Sequence, residues 1–103
     1  MGEELINTLV KEIRDKYHIP PFHKDEAIKV LIKQGNQHFS SLVANVDYEK
    51  DLIARGLLKN YVYYAHNNRT NEFKTDYMDD VSEWQFMQLD TYKEDEKSEE
   101  TDI

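Results

Sequence analysis

With 103 residues and no cysteine, the chain is the size of one domain and holds no disulfide, no thiolate metal ligand and no cysteine nucleophile. Its 13 basic and 21 acidic residues leave a net charge of −8, the wrong sign for a monomer that grips phosphates or an anionic membrane. Only 3 Gly and 2 Pro argue against an all-β protein built on tight turns, and a mean hydropathy of −0.85 is polar for a globular domain without reaching full disorder.

No apolar run approaches the roughly 20 residues of a membrane span. The start Met1-Gly2-Glu3-Glu4 is acidic where a signal peptide is basic, and position 6 is Ile where a myristoylation signal wants Ser or Thr. Synthesis in the cytosol is therefore expected. Leu5, Ile6, Leu9, Val10, Ile13 and Tyr17 recur at helical spacing and predict a first helix over 3–17. Glu3 and Glu4 sit in its first turn and Lys16 in its last, the order the helix dipole favours. His18-Ile19-Pro20-Pro21 ends it, because proline removes a donor and pushes the preceding residue out of the α region.

A second helix is predicted over about 24–44, with Ala27, Ile28, Leu31, Ile32, Phe39, Leu42 and Val43 on one stripe. Gly35 lies in that stripe, where a mid-helix glycine costs about 1 kcal/mol against alanine. Close approach of a neighbouring helix is its expected use, with a hinge as the alternative. Asp47 reads as the N-cap of a third helix over about 48–66, whose apolar face is Leu52, Ile53, Leu57, Tyr61, Tyr64 and Ala65. Asn67-Asn68, which tolerates the left-handed region, breaks it. A fourth helix follows over about 70–80, with Phe73, Tyr77 and Val81 facing in.

The next stretch, Trp84-Gln85-Phe86-Met87-Gln88-Leu89, fits strand alternation and helical spacing equally poorly and is assigned as helix. Residues 90–103 carry seven acids and two lysines, and nothing large and apolar lies between Lys93 and Ile103. Such a segment cannot offset its ordering entropy by burial. The expected architecture is thus all-α: a small four-helix domain over 1–92 with a short aromatic C-terminal segment, then a flexible, disordered acidic tail over 93–103. The expected core is Leu9, Ile13, Ile28, Leu31, Ile32, Phe39, Leu57, Tyr61 and Phe73.

Candidate chemistry is sparse. The histidines are His18, His23, His38 and His66. His23 with Asp25 and Glu26 reads as a solvated helix start with acids on the dipole, not as a metal cluster. Adjacent carboxylates such as Asp79-Asp80 are expected by chance among 21 acids. No phosphate-binding glycine loop, nucleophile elbow or zinc-helix motif occurs. No catalytic, cofactor-binding or metal-binding residue is predicted, and no cofactor. Two aromatic features stand out instead. Tyr61, Tyr63 and Tyr64 cannot share one helix face, so Tyr63 is expected to point away from the core. Trp84, Phe86, Met87, Leu89 and Tyr92 exceed what a small core needs. All eight are candidate contacts to neighbouring subunits or another protein, since large apolar groups left outside a core mark partner sites.

From Tyr48 onward these residues form a recognisable pattern: Leu57-Leu58, then Tyr61-Val62 with Tyr64, Asn67-Asn68, Phe73 and Tyr77, and finally Met87-Gln88-Leu89. It resembles the tailed-bacteriophage head–tail connector (adaptor) family over residues 24–92, most closely over 48–90. Trp84 to Leu89 is bulkier than the family pattern, and the acidic extension after Tyr92 is longer than the family needs. The resemblance implies a virion protein at the head–tail interface, made in the bacterial host cytoplasm, that catalyses no reaction. It implies a ring of copies of itself, typically a dodecamer, beneath the portal protein. That ring extends the DNA channel and docks the stopper or tail-completion protein. Genomic DNA would pass without specific binding, and like charge favours sliding over sticking. No membrane contact is implied.

The rival expectation is an acidic DNA mimic that blocks a DNA-binding host enzyme. A mimic needs acids in ordered rows on a folded surface, whereas residues 90–103 alone carry a net charge of −5 of the total −8. A hydrolase lacks any recognisable nucleophile–base pair.

Overall fold

A computed structural model describes the backbone of residues 1–101 and the side chains of residues 1–89. Five helices follow in order: α1 (Glu3–Tyr17), α2 (Asp25–Ser40), α3 (Leu52–His66), α4 (Thr70–Asp76) and α5 (Met78–Thr101). No strand occurs among the described residues, so the chain is all-α. The side chains of Tyr92 and of the expected flexible tail over 93–103 lie outside the described residues, as do residues 102–103 altogether.

Helix α1 has the predicted limits. Its C-cap, His18, adopts the left-handed region with φ 52°, and Ile19 N–H closes on the Arg14 carbonyl at 3.2 Å. Helix α2 stops at Ser40, short of the expected 44. Leu42 N–H bonds to the Phe39 carbonyl at 3.1 Å, tightening the last turn, and Asn45 then enters the left-handed region with φ 57°. The N-cap of α3 is Asp51, correcting the assignment of Asp47. Asp47 instead accepts from the N–H groups of Glu49 and Lys50 at 3.0 and 3.3 Å, closing a turn that precedes the helix and buries Tyr48. Both aspartates are good caps locally, and the burial of Tyr48 between them separates the turn from the helix. The expected fourth helix is interrupted at Tyr77, whose φ of −107° and ψ of 12° break α4 from α5. The ambiguous aromatic stretch continues α5 without a break.

The core joins Leu9 and Ile13 of α1, Ile28, Ile32 and Phe39 of α2, Leu58 and Val62 of α3, Phe73 of α4 and Trp84 of α5, each at most 1% exposed. Leu31 and Tyr61, expected inside, are only partly buried against this cluster. The larger correction concerns α3. Its buried face is Ala54, Leu57, Leu58 and Val62, leaving Leu52 71% and Ile53 48% exposed. The α2–α3 packing that selects this face runs over Gly35. A Cβ built there would stand 2.6 Å from Leu58 Cδ1 and 2.9 Å from Tyr61 Cδ1. The glycine is thus a close-approach position, and the hinge alternative is not needed.

Polar clamps fix the remaining seams. Glu12 of α1 accepts from Lys59 Nζ and Arg55 Nε of α3, each at 3.1 Å, and from Arg55 Nη2. The Arg55 hydrogen bond holds the Glu12 carboxyl below its usual range, against an opposing push from burial. Arg14 donates to Asp25 at 2.7 Å, to the Pro20 carbonyl at 3.2 Å and to the His23 carbonyl, bracing the α1–α2 loop. No helix among the described residues is long and apolar enough to cross a membrane.

Candidate functional site

The aromatic residues singled out by sequence fall into two groups with different surroundings. The tyrosines of α3 are largely engaged within the chain. Tyr63, expected to point away, stacks on Tyr17 of α1 with ring centroids 4.2 Å apart and planes 12° from parallel, and is only half-exposed. Tyr17 donates its hydroxyl to Asn60 Oδ1, and its pKa is pushed up to about 12, first by burial and then by the neighbouring tyrosines. Tyr61 packs edge-on to Phe73 at 5.3 Å and flat on His38 at 5.6 Å. His38 is held below its usual pKa by burial, with Lys74 adding to the effect. Tyr64 donates to Asp76 at 3.1 Å and carries the Arg69 guanidinium 5.0 Å above its ring. Together these rings seal α3 against α1, α2 and α4.

The α5 residues divide. Trp84 is 1% exposed, which corrects the expectation that the core has no room for it. Its indole meets Phe39 edge-on at 5.8 Å, and its Nε1–H donates to Asp51 Oδ2 at 2.8 Å. The same oxygen accepts from Gln88 Nε2 at 3.1 Å, while Asp51 Oδ1 caps α3 by accepting from Ala54 N–H at 3.1 Å. One carboxylate therefore terminates α3 and ties α5 to it. An aspartate three residues before Ala54 is a visible capping signal in the sequence. Its second use, 33 residues along the chain, is not.

With Trp84 turned inward, Phe86, Met87 and Leu89 are left 68%, 42% and 57% exposed. Between the start of α3 and α5 runs an open groove of about 360 Å³ lined by Leu52, Ile53, Gly56 and Met87, with Asp80 and Glu83 beside them. Sequence reasoning placed Leu52 and Ile53 on the apolar face of α3, so this groove was not anticipated. The signal that could have found it is an apolar surplus on α3, more than one buried face can take. A smaller recess of about 220 Å³ lies between the end of α2 and α4–α5, near His38, Leu42 and Met78.

Ionisable groups converge in few places. His23 and His66 meet edge to face at 4.6 Å, and His66 is held below its usual pKa by burial, then by His23 and Arg14. Asp25, considered with His23 in the sequence, is engaged by Arg14 instead. Among the described residues no group of three or more histidine, aspartate or glutamate side chains is arranged to hold a metal ion. Compared with protein-family models, curated proteins and solved structures, the chain matches none.

Proposed function

We propose that this chain is a structural assembly subunit of the tailed-phage head–tail connector type. It forms a ring beneath a portal protein, extends the DNA channel and presents a platform for a stopper or tail-completion protein. In this reading it catalyses no reaction and uses no cofactor, and it resides in the virion. The observation that carries the proposal is the number of exposed large apolar side chains, Leu52, Ile53, Phe86, Met87 and Leu89, on α3 and α5, the helices that hold most of the connector-like residues. Such side chains cost solubility in an isolated monomer and are useful when covered by a partner. A closed ring of one chain needs two different surfaces on each subunit. The net charge of −8 opposes close packing of many copies, so assembly should strengthen with salt. The test is negative-stain microscopy and native mass spectrometry of the purified chain, alone and with a portal protein. A ring with a central hole is the expected outcome. A chain that neither self-associates nor binds portal protein at any salt concentration refutes the proposal.

A further inference from the structure

Phe22 is the most exposed large apolar side chain among the described residues, at 77%. A rigid loop holds it there. Pro20 and Pro21 restrict the backbone before it. Arg14 bonds to the carbonyls of Pro20 and His23 on either side of it and to the Asp25 carboxylate. The Phe22 ring meets the neighbouring imidazole of His23 at 4.5 Å and a tilt of 35°. A braced loop of this kind presents an apolar knob that has little ordering left to lose on binding. Lys24 follows it and has no ion-pair partner among the described residues.

The α3–α5 groove has the complementary character. Its floor is open at Gly56, where an added Cβ would meet nothing within 4 Å. Leu52, Ile53 and Met87 supply apolar wall beside the more polar Asn60 and Tyr77, and its space of about 360 Å³ exceeds the volume of a phenyl ring. Asp80 and Glu83 stand beside it, exposed and without an ion-pair partner among the described residues. The knob cannot fill the groove of its own chain. The Phe22 loop lies against His66 at the C-terminal end of α3. Gly56 is ten residues earlier on that helix, about 15 Å along its axis.

We infer that the Phe22 knob of one copy seats in the α3–α5 groove of a second copy, with Lys24 against Asp80 and Glu83. The inference rests on the self-assembly reading above and specifies the two surfaces that meet. The contact is head-to-tail, joining different patches on the two copies, so it propagates around a closed ring or along a filament.

Two variants separate the halves of the contact. Phe22→Ser removes the knob from an exposed loop. Gly56→Leu fills the groove floor at a position with space for the side chain and raises helix propensity, so the fold is retained. Ile53→Asp, on the exposed wall, is the second groove variant should Gly56→Leu alter the circular dichroism spectrum. Association is followed by sedimentation velocity and native mass spectrometry at millimolar concentration. The wild type is expected to assemble, and either variant alone to associate about tenfold more weakly or worse. An equimolar mixture of Phe22→Ser and Gly56→Leu chains is expected to give one-to-one dimers and nothing larger, because only one intact knob–groove pairing remains. Lys24→Glu should weaken wild-type assembly, and Asp80→Lys with Glu83→Lys should restore it. If Phe22→Ser assembles like wild type, or the mixture yields no dimer although the wild type assembles, the interface is overturned and the ring reading stands. A wild type that stays monomeric alone but binds portal protein overturns the knob–groove contact without refuting portal docking.

Discussion

Removing the Asp51 carboxylate should unlock two helices at once. In Asp51→Ala, α3 loses its N-cap, a change that costs about 0.5–2 kcal/mol. The indole N–H of Trp84, on a residue 1% exposed, then loses the acceptor at 2.8 Å. A hydrogen bond to a charged group contributes about 1.5–3 kcal/mol. The two losses share one carboxylate and are not additive, so a total of about 2–4 kcal/mol is expected. For a domain of this size that lowers the thermal midpoint by roughly 10–25 °C. Asp51→Asn retains an acceptor oxygen for Ala54 N–H but offers an amide N–H₂ on the other side, so it should lie between wild type and alanine. Urea unfolding of wild type, Asp51→Ala, Trp84→Phe and the double variant forms a cycle. A coupling of about 1 kcal/mol or more is expected between positions 51 and 84. A loss below 0.5 kcal/mol in Asp51→Ala, or zero coupling, would refute the bridge as a stabilising element.

Three further outcomes follow from the packing and charge. Gly35→Ala should destabilise despite its better helix propensity, by about 1–2 kcal/mol, because the new methyl meets Leu58 and Tyr61 at 2.6 and 2.9 Å; equal or higher stability in urea would show that α2 and α3 separate freely. Ile32→Ala, at a residue 0% exposed, should cost about 2–5 kcal/mol, whereas Ile53→Ala, 48% exposed, should cost less than about 0.5; the reverse order would mean that the wrong faces of α2 and α3 have been placed inside. Glu12 has a folded-state pKa depressed by Arg55 and Lys59. Its contribution is present above the unfolded carboxyl pKa and disappears as pH falls through the lower folded value, so the acid limb of a stability–pH curve should be shallower in Glu12→Gln than in wild type. Parallel acid limbs at low salt would exclude that coupling.

The helical class and some of the helix limits were legible because they are local, while the end of α2, the cap of α3 and the break at Tyr77 were not. Pro20-Pro21 stops α1, Asn67 and Asn68 stop α3, and Gly35 lies in an apolar stripe where a close neighbour was expected and is found. The site was legible only in part. Phe86, Met87 and Leu89 stood out as surplus apolar groups and are exposed. Trp84 stood out in the same way but is buried, because an oxygen of Asp51, 33 residues earlier, accepts its indole proton inside the fold. Nothing in the spacing of residues 84–89 encodes that acceptor. Similarly, α3 is apolar at Leu52, Ile53, Ala54, Leu57, Leu58, Tyr61 and Val62, so periodicity allows more than one inward face. Short-range sterics and capping determined that this chain is helical and where α1 and α3 stop. The choice of which side of α3 to bury, and so which apolar groups line the groove beside α5, was decided by contacts between distant segments: Leu58 and Tyr61 over Gly35, Arg55 and Lys59 on Glu12, and Trp84 on Asp51. Those contacts exist only once the helices have met, because each joins side chains that no local rule brings together.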